Sequence, residues 1–389
     1  MTDRGQLVRV GAALFAVMGL VVVGAPGASA RASRPSTTTP HGTVAISFTT
    51  SSGTIDATDP FVAPGRTPLV GDFVGDTSPT GELDDILWYT PGAGGDELWR
   101  TNGDRSWTAT NVSISRSYRP IVGQFSGDSK ADIFWYSPGS APDYLWDFEE
   151  DGSITKTTYQ VNGTYTPVVG RFTADGADDI VWYGPGSAPD AWWDFDGHGG
   201  LVRRPLRVNG TYTPVVGMFG GFGPAASPWA ADILWYAPGP ARDSLWDFDG
   251  DAAPITKIPL RIDGTYIPVP GNYNRDRFTD VIWYAPGPAP DLLWTFDFDG
   301  KHGDSVLEIN GTYTPVVGSG FGLQSSATDI WWFGAGSKPD SMWAFTSESK
   351  PIVQPVSLTG DLPPVLASFE VLNVLGTMYP LPAIIDRHS

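Results

Sequence analysis

The sequence predicts an all-β protein, a seven-bladed β-propeller, and three observations lead to that fold class. The phrase Asp-Ile-x-Trp-Tyr, with conservative replacements, occurs six times at a period of about 50 residues. The 389-residue chain contains 47 Gly and 35 Pro beside 16 Trp, 14 Tyr and 19 Phe, a composition typical of short strands joined by tight turns. Repeats of this length whose strands are apolar on both sheet faces arrange radially as four-stranded blades.

Each copy of the repeat is predicted to form four strands. The first is a Pro-x-Val-Gly-like segment, and the second is the repeated phrase, whose uninterrupted apolar residues need cover on both sheet faces. A Gly-rich turn leads to the third strand, which contains Asp-x-x-Trp. An Asp-Gly turn, which suits a tight hairpin, leads to the fourth. Pro205 and Pro259 fall in fourth strands and indicate an outer edge, where proline forfeits no needed hydrogen bond.

Most tryptophans recur at two fixed positions of the repeat. The second strands contain Trp88, Trp135, Trp182, Trp235, Trp283 and Trp332, and the third strands contain Trp99, Trp146, Trp193, Trp246, Trp294 and Trp343. A side chain that returns at one place in every blade is most simply explained as filling the gap between blades. These twelve are therefore predicted to be core residues.

The number of blades is predicted from the chain that lies outside the six copies. Segments 42–66 and 363–389 together have about the length of one more copy. Residues 364–369 match the first strand, while 43–50 and 54–62 are candidates for outer strands. The sequence therefore predicts a seventh blade, closed by pairing of N- and C-terminal strands. Six blades with irregular ends is the alternative.

The N-terminus has the features of a secretory signal. Arg4 and Arg9 precede an apolar run over 10–24, and the small residues 28–30 suit a signal peptidase. The run is short for a membrane span. The predicted organisation is a signal peptide over 1–30, a flexible linker over 31–41 and a propeller domain over 42–389. The mature chain is expected to be a secreted, extracellular monomer that is not inserted in a membrane.

Net charge limits the partners. The chain has 24 basic and 43 acidic residues, a formal charge of −19, so phosphate backbones and anionic lipid surfaces would repel it. Nucleic acid is therefore excluded as an expected partner. The chain contains no cysteine, so core packing alone is expected to hold the exported protein together.

The run Val-Gly-x-Phe-x-x-Asp-x-x-x-Asp-Ile-x-Trp-Tyr resembles the FG-GAP or VCBS-type repeats of integrin-like propellers and of many secreted bacterial proteins. The resemblance implies calcium ligands in the loop between the first two strands. Calcium takes six to eight oxygen ligands. Blade five retains oxygen donors at all four ligand places, namely Asn272, Asn274, Asp276 and Asp280. A calcium ion is predicted there.

Blade two is the weaker candidate for calcium, with Asp128 and Asp132 as its acids. The aspartate that opens the second strand persists even in blades that have lost the other ligand residues. Its expected role is therefore to accept hydrogen bonds from turn amides rather than to bind an ion.

No catalytic residues are predicted. The chain has only 4 His, no His-rich metal cluster and no Gly-x-Ser-x-Gly nucleophile motif. Two carboxylates that converge in space, as in glycosidases, stay possible because sequence alone does not place them. The alternative functions are thus an extracellular polysaccharide hydrolase or lyase, or a pure interaction scaffold.

Four tryptophans fall outside the two fixed positions, and they are the candidate ligand contacts: Trp107, Trp192, Trp229 and Trp331. Trp229 shares a long apolar loop with Phe222, where blade four has lost its ion ligands. Loops on a rigid scaffold often carry binding residues, although this loop would equally suit a cover folded over the propeller rim. The predicted function is non-catalytic binding of a carbohydrate or protein ligand through these loops.

Overall fold

The computed structural model describes residues 43–50, 53–60, 66–75, 84–101, 107–220, 230–248, 255–319, 327–334, 338–356, 365–372 and 378–387. The predicted signal peptide and linker lie outside these residues. Within them, every regular element is a β-strand, and the strands form antiparallel four-stranded sheets. An all-β propeller is thus confirmed.

Six sheets are blades, each built from four consecutive strands. Blade one consists of β3 (Thr67–Gly71), β4 (Asp85–Tyr89), β5 (Asp96–Thr101) and β6 (Trp107–Val112). Blade two consists of β7 (Arg119–Gly123), β8 (Asp132–Tyr136), β9 (Asp143–Phe148) and β10 (Ile154–Tyr159). Blade three consists of β11 (Thr166–Gly170), β12 (Asp179–Tyr183), β13 (Asp190–Phe195) and β14 (Leu201–Leu206).

The next three blades repeat this pattern. Blade four consists of β15 (Thr213–Gly217), β16 (Asp232–Tyr236), β17 (Asp243–Asp247) and β18 (Thr256–Leu260). Blade five consists of β19 (Ile267–Gly271), β20 (Asp280–Tyr284), β21 (Asp291–Phe296) and β22 (His302–Leu307). Blade six consists of β23 (Thr314–Ser319), β24 (Thr328–Phe333), β25 (Asp340–Phe345) and β26 (Pro351–Val356).

The first strands surround the axis and the fourth strands form the rim. From β3 through β23, each first strand lies beside the first strand of the next blade. Pro205 and Pro259 lie in the rim strands β14 and β18, as predicted, because an edge strand has no outer neighbour that needs the missing amide. Two basic residues of rim strands also stack on third-strand indoles, with Lys156 Nζ 3.8 Å from the ring centre of Trp146 and Lys257 Nζ 3.5 Å from that of Trp246.

The prediction of seven blades is wrong, because the described part of the chain forms six blades, the alternative count. The terminal strands β1 (Thr43–Thr50), β2 (Gly53–Pro60), β27 (Val365–Leu372) and β28 (Met378–Arg387) instead form one further sheet in the order β2-β1-β28-β27. Its strands are 8 to 10 residues long and lack the repeated phrase that makes a blade apolar on both faces. The predicted pairing of the chain ends is present, since 44–47 of β1 pair with 384–387 of β28.

The core lies in the seams between blades. Each described hydrophobic cluster takes its residues from two adjacent blades. In the seam between blades two and three, for example, the ring of Tyr136 lies 4.9 Å from that of Trp182, which is itself edge-on to Trp193 at 5.5 Å. All twelve registered tryptophans are buried, as predicted.

The two ends of the propeller differ in their connections. The loop face carries the connections from first to second and from third to fourth strands, and the turn face carries the others. On the turn face, the Tyr183 hydroxyl donates to the Gly210 carbonyl at 2.9 Å and accepts from the Tyr212 amide at 2.8 Å. The same arrangement recurs at Tyr136, Tyr236 and Tyr284. The turn face is therefore repeated almost residue for residue.

Candidate functional site

The aspartate that opens each second strand has the predicted structural role. Asp132 Oδ2 accepts hydrogen bonds from the amides of Phe125 and Ser126 at 2.7 and 2.8 Å, and Oδ1 accepts from Phe148 at 3.3 Å. Asp85, Asp179, Asp232 and Asp280 accept equivalent bonds. Each of these carboxyls therefore joins the two loop-face connections of its blade.

Burial raises the pKa of these carboxyls, although the amide donors oppose the shift. The pKa reaches about 7 for Asp85, Asp132 and Asp280 and about 8 for Asp179. For Asp232 the pKa is raised well above its ordinary value, with the nearby Asp247 adding to the effect. A perturbed carboxyl can mark an active site, but here the perturbation recurs from blade to blade with the same structural partners.

The aspartate that opens each third strand has a structural role that the Asp-x-x-Trp motif alone does not predict. Asp190 Oδ1 accepts from the Gly184 amide at 2.7 Å, and Oδ2 accepts from the Val208 amide at 2.6 Å. Equivalent bonds recur in blades one, two, four and five. The signal available in the sequence was its recurrence at a fixed place in every copy.

The predicted calcium loop of blade five brings its donors together, but most of them are already engaged. Asp280 accepts from the amides of Tyr273 and Phe296, while the side chains of Asn274 and Asp276 bond to each other at 2.8 Å. By contrast, Asn272 Oδ1 is buried and accepts no hydrogen bond from the described residues. A buried oxygen without a donor is what a cation ligand would show, so this residue fits the ion.

The blade-two loop fits an ion less well. Asp128 Oδ1 accepts from the Ser126 hydroxyl and the Lys130 amide, and both oxygens of Asp132 accept from amides. Ser129 in this loop adopts φ of 92°, at the place where Gly176 of blade three has 102°. Over the described ranges, no group of three or more acidic, His or Cys side chains is arranged to hold a metal.

The predicted ligand contacts fall into two groups. Phe222 and Trp229 lie outside the described residues, and Trp107 lies in β6 with its side chain also outside them. Trp192 and Trp331 are 4% and 3% exposed. Trp192 packs edge-on to Phe248, across the seam between blades three and four. The prediction is corrected for these two indoles, because their burial leaves neither of them an exposed face for a ligand.

The seam between blades four and five brings together residues that the sequence reasoning did not single out. Gly220, the last described residue before Phe222 and Trp229 in the chain, packs so closely on the turn of blade five that a Cβ would lie 2.8 Å from the Gly300 amide. In that blade, the ring of Phe298 is edge-on to Phe278 at 6.2 Å. The guanidinium carbon Cζ of Arg277 lies 5.2 Å from the ring centre of Phe278 and 6.0 Å from that of Phe298. Phe298 is 52% exposed.

Comparison with known proteins adds information on the fold. No protein-family model matches the chain, and no curated protein matches it. The similarity to FG-GAP or VCBS-type repeats therefore stays a prediction. In the described part of the chain, no helix is long and apolar enough to cross a membrane.

Three solved structures resemble the chain. A protein from Lactobacillus plantarum aligns with a TM-score of 0.52 at 12% identity, over 82% of this chain and 97% of that one. A mutant of AofleA from Arthrobotrys oligospora gives 0.39 at 10% identity, over 82% and 93%. The V. cholerae biofilm matrix protein Bap1 gives 0.28 at 10% identity, over 87% and 79%. At 12% identity the likeness to the Lactobacillus plantarum protein shows the fold alone, and that fold is a six-bladed β-propeller.

Proposed function

We propose that this chain is a secreted, non-catalytic β-propeller that binds a carbohydrate or protein ligand outside the cell through its loop face. The observation that carries the proposal is the contrast between the two faces. The turn face repeats the same bonds in blade after blade, whereas the loop face of blade five carries an exposed aromatic ring, Phe298, at a position where the other copies have no aromatic residue. Variable loops on a rigid scaffold are a common place for binding.

The non-catalytic part of the proposal is supported by the partners of the acids and histidines. The opening aspartates bond to backbone amides in their own blades. His198 bonds the carbonyl of Asp196 in its own turn, and His302 stacks on Trp294 with 3.8 Å between ring centres. These local contacts account for such groups without a reaction.

The experiment is a glycan array with the mature protein, with and without EDTA, followed by analysis of the bound glycans for cleavage products. We expect binding without cleavage, and we expect Trp229→Ala to weaken it without lowering the melting temperature. Val306→Ala is the matched control, because Val306 is 69% exposed on the rim strand β22. Product formation would instead favour the hydrolase or lyase, and affinity unchanged in Trp229→Ala would contradict the assignment of that loop.

We also propose that the blade-five loop binds one calcium ion, with Asn272, Asn274, Asp276 and Asp280 as its ligand residues. Support comes from the buried, unbonded Oδ1 of Asn272. Asp280 would have to exchange amide bonds for the ion, so weak binding is expected.

An ion that binds only the folded state raises stability by mass action, about 2.7 kcal/mol at 100 times the dissociation constant. Millimolar Ca²⁺ should therefore raise the melting temperature by a few degrees. Asn272→Ala should abolish the rise, whereas Asp128→Ala in the weaker blade-two loop should leave it. A melting curve indifferent to Ca²⁺ would mean that these loops no longer bind the ion.

A further inference from the structure

Every blade has a residue equivalent to Phe298, so the contacts at this position can be compared between blades. Residues two before and eighteen after the opening aspartate touch each other on the loop face. In blade two they are Lys130 and Glu150, which form an ion pair at 3.4 Å. In blade three they are Ala177 and Gly197, where a Cβ on the glycine would lie 3.5 Å from that of the alanine.

Blade five fills the same two positions with aromatic rings. Phe278 is 8% exposed and belongs to the core cluster of the seam, so packing explains it. The ring of Phe298 contacts that of Phe278 edge-on, and Phe298 is 52% exposed. In the other copies the position of Phe298 is held by Gly103, Glu150, Gly197, Gly250 and Ser347. The fold therefore does not require an aromatic ring there.

Arg277 adds a charged group beside the exposed ring. Its guanidinium lies against both phenyl rings, and it makes no hydrogen bond or ion pair with any described residue. The position three before the opening aspartate is Ser129 in blade two, Gly176 in blade three and Trp229 in blade four. The guanidinium is thus held in place by rings while its N–H donors are free for an external acceptor.

The acids next to this pair in the chain are already engaged in their own loops. Asp297 Oδ1, for one, accepts from the amides of Asp299 and Lys301. Asp276 Oδ1 accepts from the Phe278 amide at 2.7 Å, and its Oδ2 accepts from the Asn274 side chain. Asp299 pairs with Lys301 at 3.0 Å. These carboxylates are therefore partly neutralised by local donors, which leaves Arg277 to receive an anionic group from outside.

We propose that Arg277 and Phe298 form a subsite for a single sugar unit that bears a carboxylate, such as a uronic acid. The formal charge of −19 repels long polyanions, but salt screens that repulsion beyond about 8 Å, so the contact with Arg277 decides the affinity for one unit. A carboxylate accepts two parallel hydrogen bonds from a guanidinium, which is the strongest pairing that an arginine makes. The polarised C–H groups on one face of a sugar ring match the negative face of a phenyl ring. This inference rests on the proposed carbohydrate binding and names the ligand class and the residues.

The test is calorimetric titration of the mature protein with tetragalacturonic acid and with its methyl ester, which has the same rings without the charge. Arg277→Ala should weaken binding of the acid about tenfold or more, since it removes a charge-assisted hydrogen bond, and should leave the ester nearly unchanged. Phe298→Ser, which installs the residue of blade six, should weaken both probes. Raising the salt concentration should weaken only the acid.

Arg242→Ala is the matched control, because Arg242 is an exposed arginine on the turn face and its loss changes the net charge equally. All three variants should melt with the wild type, since the substituted side chains are exposed. If the protein binds the acid or a neutral glycan, but Arg277→Ala and Phe298→Ser bind like wild type, the subsite is wrong and carbohydrate binding stands. If the wild type binds neither probe and no glycan on the array, both proposals are overturned.

Discussion

The aspartate that opens a second strand accepts hydrogen bonds from two loops of its blade. Asp179 accepts from the Phe172 amide at 3.1 Å and from the Phe195 amide at 3.0 Å, and it is fully buried. A buried amide that loses its acceptor costs about 1–3 kcal/mol. A single carboxyl therefore stabilises both loop-face connections of its blade.

Replacing Asp179 should change both stability and its pH dependence. Asp179→Ala should lower the free energy of unfolding by about 2–6 kcal/mol, because two buried amides lose their acceptor. Burial raises the pKa of Asp179 to about 8, against about 4 in an unfolded chain. Between those values the folded state binds more protons, so stability falls as pH rises through this window.

The measurement is denaturant unfolding of the wild type and Asp179→Asn at pH 5 and pH 8. Asparagine retains an acceptor but does not titrate, so the variant should lose less stability over this range than the wild type does. Equal losses in the two proteins would show that Asp179 does not take up the proton.

At the scale of the element, the turn face is stabilised by a tyrosine of the second strand. Its hydroxyl bonds to the segment that connects the fourth strand of the same blade to the next blade. The Tyr183 hydroxyl lies between the Gly210 carbonyl and the Tyr212 amide. Gly210 has φ of 143°, and a Cβ there would lie 2.5 Å from the ring of Tyr212. The repeated Asn-Gly-Thr-Tyr phrase thus encodes one tight turn and its closing hydrogen bonds.

Tyr183→Phe should lower the free energy of unfolding by about 1–3 kcal/mol, because the Tyr212 amide loses its acceptor while the ring still fills the seam. Tyr165→Phe is the matched control, since the Tyr165 hydroxyl forms no hydrogen bond with the described residues. Chemical denaturation measures both. A control that is destabilised as much as Tyr183→Phe would mean that the hydroxyl bonds do not matter.

At the scale of the whole molecule, the repeat predicted those features of the fold that depend on the sequence pattern within one copy. Strand order, the rim position of Pro205 and burial of the twelve tryptophans all follow from the apolar periodicity of one copy. The number of blades does not, because it depends on how the whole ring closes, and chain length outside the repeats was a poor guide to it. The terminal strands pair as expected, but their segments lack the repeated phrase of the six blades.

The candidate site was predictable only in part. Trp192 lies outside the two fixed tryptophan positions, and the sequence therefore predicts a ligand contact. In the structure it packs instead on Phe248, across the seam between two blades. Phe298 was overlooked because nothing along the chain shows that it meets Phe278, some twenty residues earlier. Comparing the same position in all copies would have revealed it, since the other copies have Gly, Glu or Ser there.

Because each described core cluster takes residues from two blades, the segment that would enclose one complete core begins and ends inside the repeat rather than at its boundaries. A single copy excised at the boundaries of the repeat would contain one half of each of two core clusters and no complete cluster. Each copy is covered only by its neighbours, so several copies in succession are needed before any one of them has a complete core.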